Sequence, residues 1–324
     1  MNSKYSLFLS GIMLIASISF AQKKQNIYYL KNNGKEVSLK DSADFIRIIQ
    51  EPDSGATYFN LFEYYPDNVK KRLGKVSKFE PALVYEGSLI SYHPNGKKAE
   101  ITMYEKGKPV GTRFFFYKNG KLQKSTLTES TNEQPDILGS KFKLISYFDS
   151  TGVQLITNGT GHYKTFEEKP NIIEEGDYQD GLKHGICKGV FVSKKASFEE
   201  RYENGKFIEG VSILEDGSSV KYSVSEELPT FKGGINNFLQ YVGRTFKYPR
   251  EAQQAGVSGR VMVSFVVESN GNLTDIKVLR DIGYGTGAEA IRVVRQSAKW
   301  IPGKQHGIPV RVQYTLPIML QQNR

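Results

Sequence analysis

The sequence contains one cysteine, Cys187, among 324 residues. No internal disulfide can form, and no cysteine-rich metal site is available. Four histidines, His93, His162, His184 and His306, stand far apart, and no two share the i, i+3 or i+4 spacing of a helical metal pair. All four sit beside turns, where solvated loop positions are expected. Cys187, in "KHGICKGVF", reads as apolar filler. No Gly-x-Ser-x-Gly elbow occurs. The carboxylate pairs Glu174-Glu175 and Glu199-Glu200 read as solvated charge in turns. "GYGTG" at 283–287 lacks the Lys-Ser/Thr of a phosphate loop and follows a hairpin strand, so it reads as a glycine turn into a helix. The expectation is a protein that is not an enzyme and needs no cofactor or metal.

Twelve prolines are too few for a Pro-rich spacer. Beyond the N-terminus no apolar run approaches the roughly 20 residues of a spanning helix. The exception is the start, "MNSKYSLFLSGIMLIASISFAQKKQ", where Lys4, an apolar run from Tyr5 to Phe20 and the small residues Ser19 and Ala21 form a secretory signal. Cleavage is expected before Gln22, leaving 1–21 as signal peptide and a periplasmic product. A retained segment would instead anchor the chain in the inner membrane. No cysteine follows the run, so a lipoprotein anchor is not expected.

The net charge of +10 is concentrated. From Pro229 onward there are thirteen Lys/Arg against five Asp/Glu, a net of +8, while residues 22–228 hold 30 against 29. The basic end favours acidic partners without choosing among peptide, glycan, lipid and nucleic acid.

What is abundant is turns. "YHPNGKKAE" at 92–100 recurs as "YKNGKLQKS" at 117–125, with Asn95 and Asn119 24 residues apart, and "YENGKF" at 202–207 reads as a third copy. "YEKGKPVGTRFFFY" (104–117) aligns with "YQDGLKHGICKGVF" (178–191). Two turns per period of 24 predict stacked β-hairpins, each too small to bury its own face. These units resemble the MORN-type, antitoxin-like repeats. The expected repeat region is 22–228.

At Pro229 the pattern changes. Ile235, Phe238, Leu239 and Val242 form one helical stripe, and Pro249 opens a second short helix. "RVMVSFVVESNGNLTDIKVLRD" (260–281) follows. Val261, Val263, Phe265 and Val267 alternate with Arg260, Met262, Ser264 and Glu268, and Asn270-Gly271 predicts a two-residue hairpin. A third helix carries Ile291, Val294 and Ala298 up to Pro302, and a closing strand sets Val310, Val312, Tyr314 and Leu316 against Arg311, Gln313 and Thr315. The fold class is therefore α+β: a mostly β hairpin array, then a small domain, 229–324, of helix, hairpin, helix and strand.

That order, with Tyr248-Pro249, Ala252-Gln253, Gly259, the Asn-Gly turn and Trp300-x-Pro302-Gly303-Lys304, resembles the C-terminal domain of TonB-family proteins. The resemblance implies binding to outer-membrane TonB-dependent transporters, whose short peptide segment adds as a strand beside the last strand. Carried over, the binding edge is Val310, Arg311, Val312, Gln313, Tyr314 and Thr315, with Tyr248, Pro249 and Gln253 as family-motif contacts. Arg311 would meet acidic groups of the partner. Family members that transmit force also keep a membrane helix, contact inner-membrane motor proteins and carry a Pro-rich spacer. The missing spacer favours an adaptor, and a retained N-terminus would favour an atypical transducer. A homodimer is a further possibility, and nucleic acid is not an expected partner. The alternative is a cell-envelope structural protein whose basic domain contacts peptidoglycan or anionic lipid.

Overall fold

A computed structural model describes residues 23–128, 142–167 and 171–321. The expected signal segment lies outside the described residues. Among those described, no helix is long and apolar enough to cross a membrane. The chain forms two compact units that divide near residue 122.

The first unit is an antiparallel meander in which each strand pairs with the next. Its strands are β1 (Gln25–Leu30), β2 (Phe45–Gln50), β3 (Phe59–Tyr64), β4 (Lys70–Lys78), β5 (Val84–Tyr92), β6 (Lys98–Glu105) and β7 (Lys108–Phe116). Ile49, Leu61, Val76 and Leu89 form its apolar centre. Beside them Glu63 is fully buried and bonded to Arg47 (2.8 Å) and Arg72 (2.6 Å).

The second unit opens with the same motif. Its meander is β8 (Leu122–Thr128), β9 (Phe142–Phe148), β10 (Gln154–Thr157), β11 (Thr160–Glu167), β12 (Ile172–Gln179), β13 (Leu182–Phe191), β14 (Ala196–Glu203), β15 (Lys206–Ile213) and β16 (Ser219–Tyr222). It continues through β17 (Glu226–Glu227), α1 (Gly234–Thr245), α2 (Arg250–Gln254), β18 (Gly259–Val267), β19 (Leu273–Arg280), α3 (Thr286–Arg295), β20 (Gly303–Gln305), β21 (Ile308–Val310) and β22 (Val312–Leu320). The architecture is the expected one, a β-hairpin array followed by helix, hairpin, helix and strand.

Two kinds of turn build the meanders. At Gly96 the loop has three residues: the His93 carbonyl accepts from the Gly96 N–H at 2.9 Å, and the His93 N–H reaches Lys97. Only the glycine has positive φ, and the Asn95 Oδ1 accepts the Lys97 N–H at 3.1 Å. The same bonds recur at Gly120, Gly217 and Gly271. The second kind has two residues, both left-handed: Lys106-Gly107, Asp180-Gly181 and Asn204-Gly205. Two expectations change. The "YENG" turn at 202–205 belongs to this second class. The 268–272 hairpin closes through three residues, because Asn270 spends its side chain on the Asn272 N–H rather than adopting positive φ.

Two further sheets complete the second unit, in the orders β19-β18-β22 and β17-β20-β21. Trp300 lies between Phe231, Phe238, Phe265 and Tyr314. Helix α3 stops at Arg295, short of the expected Ala298 and Pro302. Beyond it the Trp300 N–H bonds the Gly271 carbonyl at 3.0 Å. A core aromatic such as this is worth about 3–5 kcal/mol, against at most ~0.7 kcal/mol per residue of helix propensity, so packing ends the helix. Along α1 only Phe238 and Val242 are buried, and Ile235 and Leu239 are exposed. Two polar expectations fail as well. Glu200 and His306 are buried against each other, and Glu174 is largely buried, bonded to Tyr163 and Lys183. Strand periodicity sends adjacent carboxylates to opposite faces, so only Glu199 of that pair is solvated.

Candidate functional site

Strand β22 pairs with β18 from Val312↔Val267 to Leu320↔Gly259. In the order β19-β18-β22 it is a terminal strand, so among the described residues its outer edge faces no other strand. The orientation of that edge follows from the adjoining hairpin. The Glu268 N–H points to the β19 side, where it bonds Asn272. Val267 therefore points to β22, and its partner Val312 points back. Alternation then turns the backbone groups of Val312, Tyr314, Leu316, Ile318 and Leu320 inward, and those of Gln313, Thr315, Pro317 and Met319 outward.

Pro317 fits this scheme. A proline sits in a regular ladder only where its nitrogen faces away from the neighbouring strand. It lies within the strand, opposite Met262. The outer edge thus offers N–H donors at Gln313, Thr315 and Met319, with a gap at Pro317, and carbonyls at all four positions. Side chains alternate in step: Leu316, Ile318 and Leu320 are buried, while Gln313, Thr315, Pro317 and Met319 are exposed.

The residues named from sequence do not all share this strand. Val310 belongs to β21, opposite Gly303 in the other sheet. Arg311 is the single residue between β21 and β22, and its guanidinium is held within the chain by Glu268 (3.0 Å) and Asp275 (2.6 Å). Asp275 has φ 49° at an irregularity of β19, which turns its carboxylate to Arg311. The Thr274 hydroxyl and then Arg311 hold the Glu268 carboxyl below the usual carboxylate range. The Gln313 amide donates to the Ser264 Oγ at 3.1 Å. Tyr314 packs on Phe265 and Trp300.

Of the motif residues, Tyr248 donates its hydroxyl to the Val257 carbonyl (3.0 Å), and its ring borders a groove of about 470 Å³. Pro249 precedes α2, and its carbonyl accepts the Gln253 N–H at 3.0 Å. The groove was not expected. It runs between α1 and the C-terminal half of β22, lined by Leu239, Val242, Phe246, Pro317, Met319 and Leu320 among others. The exposure of Leu239 and Met319 is its signature, and in sequence Leu239 is indistinguishable from a core residue of the α1 stripe. Among the described residues no group of three His, Cys, Asp or Glu is placed to hold a metal.

Residues 244–319 match the family model described as the Gram-negative bacterial TonB protein C-terminal. A stretch of 71 residues, 20% of the chain, is 31% identical to a protein named Protein TonB from Helicobacter pylori. The chain spans about a quarter of that relative, 25% of its length.

Proposed function

From a TonB C-terminal domain at residues 244–319, we propose that the protein binds the extended peptide segment of an outer-membrane TonB-dependent transporter by adding it as a strand to β22. The observation that carries this reading is the outward edge itself, with donors at Gln313 and Thr315 and, among the described residues, no strand beside it. An extended peptide satisfies such groups directly, and alternate side chains supply selectivity. The ladder is regular over Gln313–Thr315 and broken at Pro317. Beyond the gap, the segment is held by apolar side chains in the groove between α1 and β22. Arg311, already forked to Glu268 and Asp275, meets the partner as part of a balanced cluster. We place the protein in the periplasm as an adaptor, with 1–21 as its signal, 22–228 as its repeat region and 229–324 as its binding domain.

The test is binding of a labelled peptide from the periplasmic N-terminus of a transporter of the same organism. Gln313→Pro removes an outward donor and leaves the β18 ladder intact, so binding should weaken by about tenfold or more with an unchanged fold. Salt should matter little. Val312→Pro would break the inner ladder and is the wrong probe. If the basic domain instead serves adhesion to anionic lipid or peptidoglycan, binding tolerates the proline and falls steeply with salt, because exposed charges are screened within about 8 Å.

A further inference from the structure

The buried face of the repeat sheet holds a polar pocket that strand addition does not use. On β14, Ala196, Phe198, Glu200 and Tyr202 are buried while Glu199, Arg201 and Glu203 face solvent. Glycines clear the room: a Cβ at Gly189 would lie 2.1 Å from the Phe198 ring, and one at Gly210 would lie 2.3 Å from the Tyr222 ring. Into this space goes the two-residue turn of the β20–β21 hairpin, His306-Gly307, with both residues at positive φ.

The turn is held from every side. The His306 Nδ1–H donates to the Glu200 Oε1 at 2.6 Å, and the carboxylate also accepts from the hydroxyls of Tyr202 (2.9 Å) and Tyr222 (3.0 Å). The imidazole stacks on Phe198 at 3.7 Å and meets the edge of Phe191 at 5.5 Å. Ser212 Oγ donates to the His306 carbonyl (2.6 Å), the His306 N–H donates to the Ser225 carbonyl (2.7 Å), and Lys194 Nζ donates to the Pro309 carbonyl (3.2 Å). Ile308 joins Ile172, Phe191, Ala196 and Phe198. Glu200 is 1% and His306 7% exposed. Neither group would tolerate such burial alone, and each answers the other.

We propose that this pocket is a docking site built into the repeat sheet for the C-terminal hairpin, with Glu200 and His306 as positioning residues that fix where the edge strand β22 begins. Only Arg311 separates the docked β21 from Val312, so seating the turn fixes the first residues of the edge. The consequence for partner binding rests on the strand-addition reading; the docking itself is measured without a partner.

The pocket has a sign with pH. Burial pushes the Glu200 carboxyl up, but the His306 hydrogen bond and charge, then the two tyrosine hydroxyls, outweigh it and hold the group below the usual carboxylate range. Tyr202 and Tyr222 are pushed up by burial and by Glu200. Lys194 faces the turn from its own side, and the Lys183 ammonium lies 5.2 Å over the Tyr202 ring. With a folded pKa below the unfolded one, Glu200 stabilises docking fully above its ordinary pKa of about 4.3. That contribution is lost as the pH falls through the lower folded value.

Amide hydrogen exchange of the full chain tests this, with rates corrected for intrinsic chemistry. Glu200→Gln should speed exchange of residues 303–312 about tenfold or more, the cost of a charge-assisted bond, while β12 to β15 keep their protection. Glu199→Gln, on the opposite face, should change nothing. The wild type should lose protection at 303–312 in acid, and Glu200→Gln should show no such step. His306→Asn keeps a residue suited to the turn and should reproduce the local loss. The proposal is overturned if either variant leaves 303–312 as protected as the wild type. It is equally overturned if β12 to β15 loosen by the same factor, or if the wild type shows no acid step.

Discussion

Gly271 meets two demands at once. Its φ of +80° is left-handed, and a Cβ there would sit 2.1 Å from the Trp300 carbonyl oxygen. Gly271→Ala should therefore cost about 2–3 kcal/mol or more, read as a lower midpoint in denaturant unfolding of the full chain. The Asn270-Gly271 dipeptide announces this turn in sequence. Its length is not legible, because the same dipeptide at Asn204-Gly205 makes a two-residue turn. What decides is whether the asparagine spends its side chain on the backbone two residues on, and that depends on the register of the flanking strands. Glu200 is hidden for a different reason. It stands beside Glu199 as if both were solvated, and the residue that answers it lies 106 positions further along. No window of sequence holds both.

At the scale of elements, β22 shows how a strand is left open without being left unguarded. Two copies pairing edge to edge by a two-fold axis through Thr315 would each set Pro317 opposite Gln313, so each copy would lack one donor. Pro317→Val restores both. At about 1 kcal/mol per bond, the self-association constant should rise by about tenfold or more, measured by sedimentation equilibrium, with an unchanged circular dichroism spectrum. An unaltered constant would mean that the proline does not guard this edge. The strand was readable from its alternation, as were β18, β19 and the existence of three helices. The end of α3 and the exposure of Leu239 were not, since both depend on what a small three-stranded sheet covers. Val310 was assigned to the edge strand because its alternation continues unbroken through Arg311. The chain changes sheets at that residue, which alternation does not mark.

At the scale of the whole molecule, the proposed function makes a claim about the first 21 residues as well as about the last hundred. Sequencing the N-terminus of protein recovered from fractionated cells should find Gln22 in the soluble periplasmic fraction, as the adaptor reading requires. A chain beginning at Met1 in the inner-membrane fraction would point to an energy transducer with motor partners instead. The hairpin array was foreseen from recurring turns, whereas the seat it provides for the C-terminal hairpin had no counterpart in any repeated motif. That seat also orders events in time. Each meander strand pairs with its neighbour in the chain, a topology of short loops that closes quickly and can zip up as the polypeptide emerges. The imidazole at 306 must wait for nearly the entire chain. Until it arrives, a buried carboxylate keeps only its two tyrosine donors and lacks the imidazole N–H, so a truncated or stalled product should keep this face of the sheet open to proteases.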